Sequence, residues 1–407
     1  MKRSSQPAGA AGVSSLLIIP LCLIVLIDAM GFAMLGPILA ARPLSDDPGT
    51  ANILYGLAVG LYPLATFFAA PILGGFSDRI GRRPVLLFCG CGLAISYVVI
   101  ACGLEWQSAA LILLGRTIGG LTAATQAIAL AALADIGPAE GKDRRITHGL
   151  LASSLGFVLG PVLSGSLSQL PYGHISPLLV IIGMTVISLV WIAKVLPGGE
   201  TAATMERHDF GKQFRQMAAT FRSPVLRRLA WVFLLQQLGW GTFFFFIAPY
   251  LIAVFGFSDQ TENYYMATVG VGFCLSFGVV MPLLRKFFPA RGIGIVCMAI
   301  ATVGMLGPVV LLFPAVAWAI AIPVATCAAA GYGALIMLFT DEAQNNEGEI
   351  LGVTASINAL AFGLAAIFDG PIAAIIISGP IFVAALLMLA ATLLLALPHP
   401  KPLTSST

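Results

Sequence analysis

Apolar residues along this chain come in long blocks, bounded by charges and turn residues, rather than scattered between polar ones. A block of about 20 apolar residues crosses a hydrocarbon core of about 30 Å as a helix, and Gly or Pro interruptions are tolerated within it. The boundaries predict helices near 14–41, 51–75, 84–103, 108–136, 147–168 and 176–196. A polar stretch from Pro197 to Ser223 follows, and then six more near 226–255, 262–284, 291–313, 315–340, 350–374 and 378–397. The expected fold is therefore all-α and membrane-integral, with twelve spans in two pseudo-symmetric six-helix bundles. Residues 1–196 would form the first bundle, 197–225 a cytoplasmic linker, and 226–407 the second.

Composition agrees with that layout. Of the 407 residues 58% are apolar and 10% charged, with a mean hydropathy of +0.97. Soluble domains carry about 25% charged residues, so too few polar side chains exist here to cover a water-facing surface. Soluble enzymes, nucleic-acid readers and disordered scaffolds are excluded, and the net charge of +3 carries meaning only through where the charges sit. All but Arg42 and Arg116 of the 21 lysines and arginines fall on one side of the predicted layout. Cytoplasmic loops collect basic residues, so both termini are expected in the cytoplasm. The first apolar run is long and lacks a small-residue cleavage site, which reads as a retained span rather than a signal peptide. Cys22, Cys89, Cys91, Cys102, Cys274, Cys297 and Cys327 all lie within apolar runs and read as small buried hydrophobes.

A weak internal echo supports duplication. Span one has Asp28 with Gly31 three residues on and Pro37 beyond; span seven has Gln236 with Gly239 three residues on and Pro249 beyond. Paired six-span halves are a usual plan for secondary transporters, with the binding site near mid-membrane between them.

After span two the chain reads Gly74-Gly75-Phe76-Ser77-Asp78-Arg79-Ile80-Gly81-Arg82-Arg83-Pro84. This resembles the signature loop of the major facilitator superfamily, whose Gly75, Asp78, Arg79, Gly81, Arg82 and Arg83 equivalents form a gating motif. Glycines let two helices approach closely, and an acid such as Asp78 suits a neighbouring helix N-terminus. The resemblance implies a latch on the cytoplasmic side, with Asp135 sharing the charge cluster. Span five carries Gly156, Gly160-Pro161 and Gly165, similar to the antiporter motif of proton-driven exporters. The plain structural reading of that pattern is a close-packed helix with a proline bend.

Leu26-Ile27-Asp28-Ala29-Met30-Gly31, Gly119-Gly120-Leu121-Thr122-Ala123-Ala124-Thr125, Ala134-Asp135-Ile136 and Gly160-Pro161-Val162-Leu163 are together similar to the tetracycline efflux proteins among the drug:proton antiporters. The likeness is close over residues 20–170 and loose afterward. It departs where those exporters carry acids: Ser96 precedes Tyr97 in span three, and only apolar and small residues surround Ala301 in span nine. A site without those carboxylates is poorly suited to a metal-chelated tetracycline.

An ionisable group within a span costs about 2.5–3.5 kcal/mol or more, so each needs a role or a partner. Helical rise places Asp28 about 21 Å from the inner end of span one and Arg116 about 12 Å from the outer end of span four, at similar depth. Two readings stand: a static ion pair, or a carboxyl that changes protonation as water reaches it from alternate sides. Asp369, about 28 Å up span eleven, is expected at the outer mouth. His148 reads as interfacial, and His174, His208 and His399 lie in loops or the tail. Tyr55, Tyr62, Gln126, Gln236, Gln237, Trp240 and Asn358 are the candidate substrate contacts, which together make an amphiphilic pocket.

No metal-ligand spacing or phosphate-binding loop is present, so no cofactor, no metal and no catalytic residue is expected. The resulting expectation is a proton-coupled exporter of a small amphiphilic compound, drug-like or siderophore-like, working by alternating access as a monomer in a bacterial-type inner membrane. Its partners would be the substrate, protons and lipid, with no nucleic acid. An importer or exchanger of a siderophore, nutrient or other metabolite on the same fold is the alternative. An integral-membrane enzyme or receptor would need a polar catalytic cluster or a soluble domain, and neither is visible.

Overall fold

The computed structural model describes residues 15–137, 141–173, 175–196, 224–343 and 347–398. Within them lie twelve helices long and apolar enough to span a membrane. They are α1 (Ser15–Ala40), α2 (Pro48–Ile80), α3 (Arg82–Glu105), α4 (Ala109–Asp135), α5 (Lys142–Leu167) and α6 (Ser176–Val195). The second set is α7 (Pro224–Phe255), α8 (Asp259–Leu284), α9 (Ala290–Leu311), α10 (Pro314–Ala343), α11 (Glu347–Ile375) and α12 (Gly379–Ala396). Most of the expected linker, with His208, and also His174, His399 and the terminal basic residues, lies outside the described residues.

Two helices depart from the expected continuous form. In α4 the chain turns at Thr122–Ala124, where the Thr122 hydroxyl donates to the carbonyls of Ile118 and Gly119. Paired glycines give weak helical cohesion there, and a Thr hydroxyl competes with the ladder. Gly92 of α3 accommodates the turn, because a Cβ there would lie 2.3 Å from Thr122. In α8 the residues Ser276–Val280 wind as a π-helix before Met281–Leu284.

Helices α1–α6 pack on one another and α7–α12 do the same, while α2 meets α11 and α5 meets α8 across the divide. The α2–α11 seam is made by glycine. A Cβ on Gly56 would lie 2.4 Å from the Ala366 carbonyl and 2.9 Å from Gly370 Cα, and one on Gly60 would lie 2.9 Å from the Gly363 carbonyl. In lipid the backbones gain van der Waals contact by such approach, since no hydrophobic force separates helix from tail. The end bearing the loops rich in arginine is called inner below. These cross-bundle contacts run from mid-span outward, so the outer side is closed.

Candidate functional site

Asp28 sits in the middle of α1, buried, between the Leu26 and Met30 backbone positions on which α5 rests. Gly156 and Gly160 make that packing possible: a Cβ on the first would lie 2.6 Å from the Leu26 carbonyl, and on the second 2.5 Å from the Met30 carbonyl. Pro161 follows directly, and with no N–H it frees the Phe157 carbonyl four residues back. Gly165 continues the stripe to α8, against Asn263. Gly31, one turn above Asp28, leaves room for the Tyr97 ring, whose hydroxyl would lie 1.7 Å from a Cβ there.

The Tyr62 hydroxyl lies beside the Asp28 carboxyl, whose Oδ1 has no protein partner. Arg116 is also buried, yet it makes no ion pair with Asp28. Its Nε donates to the Ala58 carbonyl at 2.6 Å and its Nη2 to the Val59 carbonyl at 3.1 Å, and its guanidinium carbon sits 4.8 Å from the Tyr62 ring centroid. The direct pair expected from equal depth is thus corrected to a three-part arrangement with Tyr62 between acid and base. Pro63 supplies the physical reason. Lacking an N–H, it leaves the Val59 carbonyl without its helical partner, and a planar guanidinium satisfies it.

One turn outward from Asp28 an aromatic cluster joins both halves. Phe32 stacks on Phe244 at 6.1 Å and meets Phe245, Phe157 and Tyr62 at 6.2, 6.0 and 5.9 Å. Trp240 packs on Phe273, which packs on Phe157. Tyr55 donates its hydroxyl to the Phe245 carbonyl at 2.6 Å, across the bundles. Pro249, four residues after Phe245, frees that carbonyl as Pro63 frees Val59.

The remaining candidate contacts are engaged with protein in this closed form. Gln126 donates to Ser153 Oγ at 3.1 Å, Gln236 to the Ala328 carbonyl at 3.3 Å, and Gln237 to Asn358 Oδ1. Ser96 is buried and donates to the Gly115 carbonyl at 2.8 Å, and Ala301 is buried. At the inner end Arg82 bridges Asp78 and Asp135, its Nε 3.0 Å from Asp135 Oδ2, while Gly81 turns the loop at φ 96°. Gly75 is buried, Arg79 exposed, and Arg83 donates to the Ala193 carbonyl. Arg145, counted from sequence among loop charges, is buried and donates to the Leu133 carbonyl at 2.8 Å.

Asp369 corrects a further expectation. It is 2% exposed rather than at the surface, because Gly370 beside it rests on Asn52 and Ile53 of α2 and the seam covers it. Glu262, at the start of the eighth apolar block, is fully buried in the first turn of α8, with neither carboxylate oxygen partnered. Its neighbours Ser258, Asp259, Gln260, Thr261 and Asn263 are all polar, so local sequence carries no signal that it would be enclosed. All seven cysteines are free, and among the described residues no His/Cys/carboxylate cluster has the makings of a metal site.

The sequence profile of the Major Facilitator Superfamily matches residues 21–368. Among curated proteins, "Tetracycline resistance protein, class E" of Escherichia coli is 38% identical over 154 residues, 36% of this chain and 36% of that protein. The human "Major facilitator superfamily domain-containing protein 10" is 38% identical over 117 residues, 28% and 25% of the two chains. The chain thus aligns with only about a third of the length of the first relatives. Among solved structures, the human organic anion transporter MFSD10 superposes with a TM-score of 0.67 at 21% identity, covering 96% of this chain and all of that one. A D-xylose-proton symporter does so with 0.75 at 15% identity, covering 95% and 97%. At those identities the likeness is one of fold.

Proposed function

The chain belongs to the Major Facilitator Superfamily, and from that premise we propose that it is a proton-coupled secondary transporter exporting a small amphiphilic organic compound by alternating access. The carrying observation is Asp28: a buried carboxyl on a first-half helix that also touches α7 and α8 of the second half, with Oδ1 unpartnered, directly beneath the aromatic cluster that closes the outer side. Oδ1 is the atom at which a proton would sit. Tyr62 lies beside the carboxyl, and Arg116, fixed on the Val59 carbonyl, keeps positive charge one ring away without locking the acid in an ion pair. A carboxyl so arranged is free to gain and lose a proton, as coupling requires.

The glycines at 156, 160 and 165 support motion of α5 against α1 and α8, and Arg82 between Asp78 and Asp135 orders the inner rim of the first half. Residues 1–196 and 226–407 are the moving units and 197–225 their cytoplasmic tether, in a bacterial-type inner membrane, with the protein acting as a monomer. When the aromatic cluster parts, Tyr55, Tyr62, Gln126, Gln236, Gln237, Trp240 and Asn358 offer rings, amides and hydroxyls to a solute, which suits a hydrogen-bonding, moderately apolar one. With Ser96 and Ala301 where tetracycline exporters have acids, a metal-chelated tetracycline is not the expected cargo.

The test begins with a thermal-shift screen of purified protein across antibiotics and siderophores. The best stabiliser is then offered to everted vesicles with an acid interior. Accumulation that a protonophore collapses is the expected result; accumulation only in right-side-out vesicles would reverse the direction and favour an importer.

A further inference from the structure

The closed outer side contains an acid that the coupling site does not use. Glu262 is fully buried, its Oε1 and Oε2 have no hydrogen-bond partner, and among the described residues no Lys, Arg or His lies within ion-pair distance of it. It stands at the outer end of α8, where the two halves meet.

Its surroundings can be named. On its own helix are Asp259, which pairs with Arg42 at 3.7 Å across the bundles, and Tyr265, whose hydroxyl is unpartnered and whose ring packs on Trp318 of α10. From α2 comes Tyr55, within electrostatic reach but with its proton committed to the Phe245 carbonyl. The outer halves of α5 and α1 add no ionisable side chain except Arg42. The other buried acids among the described residues are Asp28 of α1 and Asp369 of α11, in the seam with α2.

Removing a carboxylate from water costs several kcal/mol unless hydrogen bonds or a counter-charge replace the lost solvent, and here neither is present. The neutral acid is far cheaper to enclose. We propose that Glu262 is a second proton-binding site, loaded from the outer aqueous phase, whose occupancy is required for the outer faces of the two halves to close. The inference rests on the alternating-access reading above. Asp28 and Glu262 then differ in the side on which each exchanges its proton. Asp28 exchanges between the two sides, whereas Glu262 takes its proton as the outer seam shuts and returns it to the same side as the seam opens. Raising the pH favours the charged form, which demands water, so it opens the outer side; lowering the pH holds it shut.

The experiment is a distance measurement between spin labels at positions 46 and 313 on the outer rims of the two halves, in a cysteine-free protein in lipid nanodiscs, across pH and without any solute. The wild-type side chains should give a shift from short to long distances as pH rises. Glu262→Gln should abolish that shift and leave short distances throughout, while Asp28→Asn keeps it. If Glu262→Gln folds poorly, Glu262→Asp, one methylene shorter, should move the midpoint. A Glu262→Gln protein that opens with pH like the wild type overturns the proposal, as does a wild type whose distances ignore pH, or a transition lost in Asp369→Asn but kept in Glu262→Gln. Because no solute is present, failed transport with intact pH-driven opening would leave this inference standing, and intact transport without the opening would remove it alone.

Discussion

The first helix of each half occupies the same place in the fold, and the two have been given different chemistry. In α1 the mid-span polar residue is Asp28, which can carry or lose a charge; in α7 it is Gln236, which cannot, and whose amide is spent on the Ala328 carbonyl. Both are buried, and each has a glycine three residues on. Gly31 opens space for the Tyr97 hydroxyl inside its own half, whereas Gly239 brings α7 onto the backbone of α12 at Ala384. The lesson is a division of labour. A titratable group is expensive in lipid, and one half carries it with a tyrosine and an arginine around it. The other half supplies amides and rings that hold a fixed shape, and keeps its own acids, Glu262 and Asp369, in the seam between the halves.

The largest effect expected is at that contrast itself. Asp28→Asn keeps the shape and the Tyr62 contact but cannot exchange a proton, so gradient-driven accumulation in everted vesicles should vanish while counterflow exchange persists. Gln236→Leu, at the matching place in α7, should leave coupling intact and change only apparent affinity. Active accumulation by Asp28→Asn at the wild-type rate would break the comparison.

The next effect concerns the seam. Gly56→Val places its side chain against the Ala366 carbonyl and Gly370 Cα, backbone atoms that cannot swing aside. Overpacking of this kind costs about 1–3 kcal/mol, which shifts a two-state balance by roughly tenfold. Transport should fall about tenfold, with longer distances across the outer rims. Gly74→Ala, near the inner end of α2, is the control: a Cβ there meets no atom within 4 Å, and activity should stay within about twofold of wild type by the usual tolerance of open sites.

Much of this was legible in the sequence because lipid imposes simple rules. Span length, the sorting of arginines and the glycine-rich segment at 74–84 depend on local composition, so the twelve helices are legible from it. What local composition does not encode is which lone pair a side chain finds. Arg116 and Asp28 stand at the same depth, yet Pro63, on a third helix, decides that the arginine goes to Val59. Asp369 reads as a mouth residue because counting along a helix gives height but not the face that a glycine seam covers, and Glu262 marks only the start of a span for the same reason. The turn at Thr122–Ala124 was hidden for a related reason: in an apolar run, Gly-Gly followed by Thr looks like one more tolerated interruption.

A smaller effect tests the proline account. Arg116→Ala strands the buried Val59 carbonyl and removes the second acceptor contact to Ala58, at about 1–3 kcal/mol for a buried group left unpaired, and should lower both thermal stability and transport. Arg116→Lys keeps the charge but reaches the carbonyls with poorer geometry and should fall between. Adding Pro63→Ala to Arg116→Ala returns an N–H to the Val59 carbonyl, so the double variant should regain part of the lost stability. No recovery in the melting temperature would show that Pro63 does not set the position of the arginine.

The smallest effect lies at the ion pair that crosses the outer rim. Arg42 and Asp259 are 3.7 Å apart with side chains 52% and 43% exposed, a geometry in which water screens most of the attraction and side-chain entropy opposes the rest. Such pairs contribute about 0–1 kcal/mol. Arg42→Ala should therefore leave the outer rim closed at low salt and high salt alike, with transport changed less than about threefold, because closure rests on Gly56, Gly60, Gly363 and the Phe32 cluster rather than on surface charge. If Arg42→Ala instead opened the rim as far as Gly56→Val does, and wild-type closure weakened as salt was raised, electrostatics would govern the outer side. The contrast between a charged, proton-exchanging α1 and a close-packed apolar seam would then have to be redrawn.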